Sequence, residues 1–490
     1  MSDGRGLGDD AERRLLSEPD AGASFLDCRS KTTAPRRLWH DARSVPNSAP
    51  DEPRAPVARR PGLVRAIGRF DLTAAIVNGV IGSAIFGMPA TLAALTGAWS
   101  PLAALLGGLG ILMIVLCFAE VASRFRDPGG PYLYAREAFG PLVGFEVGWL
   151  TFWTRVLSAA ANLNVFVLYL GELVPGARGG AGRLTLMVGL VGLITVVNVI
   201  GVRQATWAVD AFTLAKLLPL VLLILLGVGH VRGDTLAGQN VAAPDWTQAI
   251  LLLVFAYGGF EAALIPAGEA RDPRRDTGFA LLAGLGTVAA VYMLVQLVVV
   301  GVVPHAAHAP AAIAAAFGVL LGPPGVVLAS VAAMVSVAGW TTGAVLQSPR
   351  VLYSMAERGE LPAVLGRVHP RFHTPDLAIV TFALVSLAFG LAGGFAWNAT
   401  LAAIVRLIYY GLTCVALLVF RRRAEAPPGF RVPAAPIVAP LGLLFCLWLL
   451  STRTFAQVWI LAALVVAGLP LLWWARTTPA RGTPSPGDND

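Results

Sequence analysis

Twelve apolar runs, most of them near the roughly 20 residues a helix needs to cross a bilayer, occupy the chain from residue 69 to residue 475. They lie at about 69–95, 100–124, 141–172, 183–201, 206–229, 246–267, 277–303, 323–346, 377–394, 397–420, 436–452 and 456–475. The tenth carries Arg406 and the eleventh is short, so their ends are the least sharply marked. With 56% hydrophobic and 13% charged residues, a soluble protein of 490 residues would lack the polar groups to cover its surface. The pattern predicts an all-α integral membrane protein of twelve transmembrane helices.

The arginines orient these helices. With the amino terminus inside, the inner loops hold Arg124, Arg126, Arg136, Arg203, Arg271, Arg274, Arg275, Arg350, Arg358, Arg367, Arg371, Arg421, Arg422, Arg423 and Arg431. The outer loops hold Arg178, Arg183, Arg232 and Arg453. Fifteen against four is a positive-inside bias that requires an even number of crossings and places both termini in the cytoplasm. The net charge of +8 then reflects topology and anionic lipid, and a nucleic-acid partner is not expected. Residues 1–65 are polar, without apolar periodicity or a signal-peptide core, and are expected to be a disordered cytoplasmic tail. The membrane domain is expected over 66–476, with a second cytoplasmic tail at 477–490. Lys31 and Lys216 are the only lysines in a chain rich in Ala, Gly, Arg and Pro, a bias that points to a GC-rich bacterial genome. Cys28, Cys117, Cys414 and Cys446 lie far apart, with neither metal-ligand spacing nor a disulfide framework, so no metal or cofactor is expected.

Two of the runs are flawed as helices. The first contains Asn78-Gly-Val-Ile-Gly-Ser-Ala-Ile-Phe-Gly-Met-Pro89, with Gly79, Gly82, Ser83 and Gly87 close together. Weak helix formers are costly in mid-membrane unless the backbone opens onto a cavity, where freed peptide groups find a ligand or water. The sixth run contains Phe255-Ala-Tyr-Gly-Gly-Phe-Glu261, interrupted at Gly258 and Gly259. First and sixth are corresponding positions if helices 1–5 (about 69–229) and 6–10 (about 246–420) are inverted repeats, with two extra helices at 436–475. Paired interruptions of this kind mark a binding site at the membrane midplane. Glycine also serves close helix packing, which accounts for Gly107 and Gly108. It accounts less well for a cluster followed by Pro89, or for Gly-Gly beside an intramembrane Glu261.

Further motifs stand in order along residues 70 to 430. They are Gly79-Val-Ile-Gly-Ser-Ala-Ile-Phe; Asp127-Pro-Gly-Gly-Pro-Tyr-Leu-Tyr with Phe139-Gly and Gly148-Trp149; and Gly259-Phe-Glu with Gly268-Glu-Ala-Arg-Asp-Pro-Arg-Arg. Pro349-Arg-Val-Leu-Tyr-Ser-Met-Ala-Glu-Arg-Gly-Glu-Leu-Pro follows, with His369-Pro and Thr374-Pro. Together they resemble the amino acid–polyamine–organocation superfamily of secondary transporters, in particular its bacterial amino acid permeases. The resemblance implies the LeuT-like five-plus-five inverted repeat, with helices 1 and 6 broken, in the cytoplasmic membrane.

An amino acid brings one carboxylate and one ammonium, and each needs a partner in a low-dielectric cavity. The amides of Gly82, Ser83 and Ala84 would open the second half of helix 1, and a helix start suits a carboxylate. The carbonyls of Val80, Ile81, Phe255, Ala256 and Gly258 suit the ammonium, with Gly259 completing the second break. The resemblance implies this use of backbone atoms, and a shutter at Phe255. Ala84 stands where many relatives have glycine, so the room above the substrate backbone is expected to be narrower. Tyr257 and Glu261 are gating or pocket candidates, Glu261 as a cap for freed backbone. Thr151, Arg155, Ser158, Asn162 and Tyr169 share one face of helix 3. That face either packs against neighbouring helices or lines the pocket; in the second case Arg155 favours acidic substrates over cationic ones.

Lys216 stands about 13 Å into helix 5, where an isolated ammonium is expensive and its charge can come and go during a cycle. The resemblance implies proton coupling at this position, with Ser336, Thr341 and Thr342 of helix 8 as polar neighbours. A fixed cation that props the bundle open is the other reading. Glu120 and the group Glu269, Arg271, Arg274 and Arg275 sit at the inner face, as gate latches or as solvated charges. The functional expectation is secondary transport of amino acids, as proton-coupled uptake by alternating access. An amino acid or amine exchanger and a polyamine permease share the fold, and a membrane enzyme or receptor is a different class. No nucleotide-binding loop and no catalytic Ser/His or metal cluster stands in the chain, and His305 and His308 occupy an outer loop by themselves.

Overall fold

The computed structural model describes residues 68–125, 130–200, 206–263, 273–423 and 428–477. The tails at 1–65 and 478–490, residues 126–129 with Arg126 and Asp127, Arg203, and Glu269 with Arg271 lie outside the described residues. Among those described there is no strand. The chain runs through α1 (Arg69–Val80), α2 (Ala84–Gly87), α3 (Pro89–Thr96), α4 (Ser100–Ala122), α5 (Gly130–Phe139) and α6 (Pro141–Leu173). It continues through α7 (Gly180–Ile200), α8 (Thr206–Gly227), α9 (Gly233–Ala237), α10 (Trp246–Ala256), α11 (Phe260–Ala263) and α12 (Pro273–Val302). The last six are α13 (Ala312–Leu321), α14 (Pro323–Glu357), α15 (Asp376–Ala392), α16 (Phe395–Arg422), α17 (Ala435–Ser451) and α18 (Phe455–Thr477).

Eight helical stretches among the described residues are long and apolar enough to cross a membrane, and five shorter apolar helices accompany them. This is a multi-pass membrane protein. Its helices divide by burial. In the most apolar window of α16 72% of residues are buried and in that of α6 67%, against 22% for α7 and 17% for α18. Leu193 and Val196 on α7, and Trp459 and Trp473 on α18, turn outward, as apolar residues do when the surroundings are lipid. The centre is formed by α1, α4, α6, α10, α12 and α16.

Several features depart from the apolar runs, among them α5 and α9, which lie between runs. Helix α14 does not stop near 346 but continues through Pro349 to Glu357, because helical hydrogen bonding outlasts the hydrophobic stretch. The segment Ala312–Leu321, expected as outer loop, forms α13 and buries Ala312, Ile313, Ala316 and Phe317.

At the C-terminal end of α4, Glu120 is fully buried and accepts from Arg421 Nε (2.8 Å) and Nη2 (2.5 Å), Arg124 Nη2 (2.9 Å) and the Val432 amide (2.8 Å). Removing both arginines would leave a buried carboxylate uncompensated, and removing Glu120 would leave two arginines without their shared anion. Of the two readings of Glu120, a solvated loop charge is the one this geometry disfavours.

Candidate functional site

In α1 the last helical bond runs from the Ile81 amide to Val77 O (2.9 Å). The next amide, that of Gly82, turns to Val80 O (2.8 Å) instead of reaching Asn78 O four residues back. Helical bonding resumes at Ser83 O, which accepts from Phe86 and Gly87. Asn78 O has thus lost its helical donor, and the Lys216 ammonium of α8 supplies one at 2.5 Å. A cation at the carbonyl end of a helix is favourably placed. Lys216 is buried, with 6% of its surface exposed.

The second interruption repeats the arrangement with other residues. The Gly258 amide turns to Phe255 O (3.2 Å), and Gly259, at φ 111°, takes a backbone conformation open to glycine. The Gly259 amide donates to Glu261 Oε2 (2.9 Å). The carbonyls left behind are met by the Arg406 guanidinium of α16, which donates to Phe255 O (3.1 Å) and reaches toward Val254 O (3.5 Å). Arg406 also pairs with Glu261 (3.4 Å) and donates to Tyr409 Oη (3.2 Å). Tyr292 joins the two breaks: its hydroxyl lies 3.2 Å from Val80 O and 3.0 Å from Ala256 O.

The interruptions press together. A methyl on Gly259 would sit 2.6 Å from Gly79 O, and one on Gly258 would sit 1.7 Å from Arg406 Nη1. Beside them lies a cavity of about 30 Å³ bounded by Gly79, Val80, Gly82, Ser83, Ala84, Phe255, Ala256, Gly258 and Gly259. Its remaining wall is Arg155, Ser158 and Asn162 of α6, Trp340 of α14 and Arg406. Trp340 lies over Gly82, with Cδ1 3.3 Å from where a Cβ would stand. Space of that size holds about two waters, so a molecule the size of an amino acid requires side chains such as Phe255 or Trp340 to shift.

Most of the residues singled out in the sequence meet at this cavity, with revised roles. The Gly82 amide and the Val80, Phe255 and Ala256 carbonyls already have protein partners. The amides of Ser83 and Ala84 have none among the described residues. Ile81 is buried without bordering the cavity. Tyr257 is buried elsewhere, donating to Ala104 O (2.7 Å). Glu261 stands behind the wall as the counter-ion of Arg406. Thr341 borders a separate pocket with Ala159, Ile194 and Phe382, on the side of α14 toward α6, α7 and α15. Ser336 is buried and its hydroxyl has no hydrogen-bond partner among the described residues; Thr342 donates back to Ala338 O (2.7 Å). On α6, Arg155, Ser158 and Asn162 reach the cavity, while Tyr169 donates to Phe86 O (2.9 Å) and ties α6 to α2. Arg406 and Trp340 were not anticipated. An arginine inside an otherwise apolar run was the available signal for the first; nothing in the sequence marks the second.

The family profile described as amino acid permease matches residues 67–474. The chain is 28% identical over 434 residues to the serine/threonine exchanger SteT of Bacillus subtilis, covering 84% of this chain and 97% of that protein. It is 28% identical over 415 residues to the methylthioribose transporter of the same organism, covering 79% and 88%. To the b(0,+)-type amino acid transporter 1 of Rattus norvegicus it is 25% identical over 431 residues, covering 84% and 86%.

Proposed function

Since the chain belongs to the amino acid permease family of the amino acid–polyamine–organocation superfamily, we propose that it carries amino acids across the bacterial cytoplasmic membrane by alternating access. In this reading twelve helices cross the bilayer with both termini inside, α1–α8 and α10–α16 contain the inverted repeats, and α17 and α18 are the extra pair. The paired interruptions at 81–83 and 257–259 are its broken helices 1 and 6. One observation carries the proposal: both interruptions border one cavity, at which the Ser83 and Ala84 amides remain without protein partners. Those amides receive the substrate carboxylate. Of the carbonyls considered for the ammonium, Gly258 O is the one at the cavity without a protein donor among the described residues.

Protons drive the cycle through Lys216. While charged, it holds Asn78 O; on losing its proton it keeps a weaker bond, and the two halves of helix 1 are freer to move. Ser336 is the partner on α14 within this scheme. Proteoliposomes with an inside-alkaline gradient are expected to accumulate labelled amino acid, and Lys216→Met is expected to abolish the dependence on the gradient. Gradient-driven accumulation by Lys216→Met equal to that of the native protein would remove the lysine from the coupling role.

Exchange is the second reading, supported by the likeness to a protein described as an exchanger. Preloading separates the two: uptake needs the gradient alone, whereas exchange needs amino acid inside. A polyamine substrate fits poorly with two guanidinium groups in the cavity wall.

A further inference from the structure

The charges around the cavity do not balance. Two guanidiniums, of Arg155 and Arg406, stand in its wall. The carboxylate nearby is that of Glu261, and it is committed: its oxygens accept from the Gly259 amide (2.9 Å), Tyr409 (3.2 Å) and Tyr410 (3.1 Å), and it pairs with Arg406 (3.4 Å). Few of its acceptor positions remain. Arg155 makes no hydrogen bond and no ion pair among the described residues, and the anion whose field it shares, Glu261, is already paired with Arg406. Two cations that share one anion leave one positive charge over, and inside a membrane domain such a charge faces a cavity or a ligand.

The same cavity contains an unused acceptor. Asn162 is buried (2% exposed), and its Oδ1 has no hydrogen-bond partner among the described residues. Meanwhile Arg406 covers Phe255 O, one of the carbonyls that would otherwise draw a second positive group of a substrate. The cavity therefore offers one excess positive charge, a neutral acceptor suited to an ammonium, and poor accommodation for a cationic side chain.

We propose that this site selects amino acids carrying a second carboxylate, with Arg155 as the specificity-determining partner of that group and Asn162 as an acceptor for the α-ammonium. The inference rests on the permease reading above and names its substrate class. An acidic side chain directed at α6 neutralises Arg155. A neutral side chain leaves the charge unpaired, and a basic one adds repulsion from two arginines.

The test uses the purified full chain with L-glutamate, L-aspartate, L-serine, L-leucine and L-lysine, first by thermal shift and then by uptake into proteoliposomes. Glutamate or aspartate is expected to stabilise the protein and to bind about tenfold or more tightly than serine or leucine, with lysine inert. Arg155→Gln is expected to weaken acidic binding by about tenfold or more while changing neutral binding by about threefold or less, and Arg155→Lys to restore part of the loss. The native-protein panel needs no variant, so misfolding of Arg155→Gln would not spare the proposal. Stabilisation and uptake with serine or leucine but not with the acidic pair overturns the inference and leaves the permease reading standing. No response to any of the amino acids overturns both.

Discussion

At Gly258 there is no room for a side chain, and the neighbour it would strike is the one that holds the second break together. The Arg406 guanidinium is fixed by Phe255 O and Glu261, so a methyl 1.7 Å from Nη1 has to expel it. Gly258→Ala is expected to cost about 1–3 kcal/mol, the worth of a charged buried hydrogen bond, and to lower the melting temperature of the purified protein. Gly79 is the control. A methyl there meets Gly259 O at 3.4 Å, an ordinary contact, so Gly79→Ala is expected to melt within a degree or two of the native protein. An equal loss at both positions would mean that the glycines serve backbone freedom rather than room for Arg406.

At the scale of the helix, the interruptions persist because side chains replace the partners, donors and an acceptor, that the backbone has withdrawn. Lys216, Arg406, Glu261 and Tyr292 each take up a group that a continuous helix would have paired. Tyr292 contacts both breaks, so Tyr292→Phe removes both bonds: Ala256 O loses its donor and Val80 O keeps the Gly82 amide alone. The expected cost is about 1–3 kcal/mol, read as a lower melting temperature with little change in helical content by circular dichroism. The glycine clusters were legible in the sequence because mid-membrane glycine has few uses. Which carbonyls stay free was not, since that depends on donors arriving from α8, α12 and α16, far away along the chain. Arg406 looked like a boundary problem in the tenth run for the same reason: a single run does not say which of its faces meets Gly258. The apolar runs located the helices well, apart from the polar end of α14. They missed α5 and α13, each of ten residues and too short to cross a bilayer; α13 reads as a loop between Pro310 and Pro323.

For the whole molecule, the proposed orientation places the loop between α12 and α13 outside and the loop between α14 and α15 inside. His308 and Arg367 are exposed in these loops, while Cys117, Cys414 and Cys446 are buried. With Cys28 replaced by serine, a membrane-impermeant maleimide is expected to label His308→Cys on intact cells, and Arg367→Cys only after permeabilisation. The reverse pattern would invert the topology. The two basic side chains that hold the breaks come from α8 and α16, the last helix of each proposed repeat. On that reading the two helices correspond, and the basic groups they carry differ in a way that matters. A guanidinium keeps its proton at any pH a cell meets, whereas an amine in a dry setting can give one up. One half of the molecule is thereby fastened with a rivet and the other with a catch.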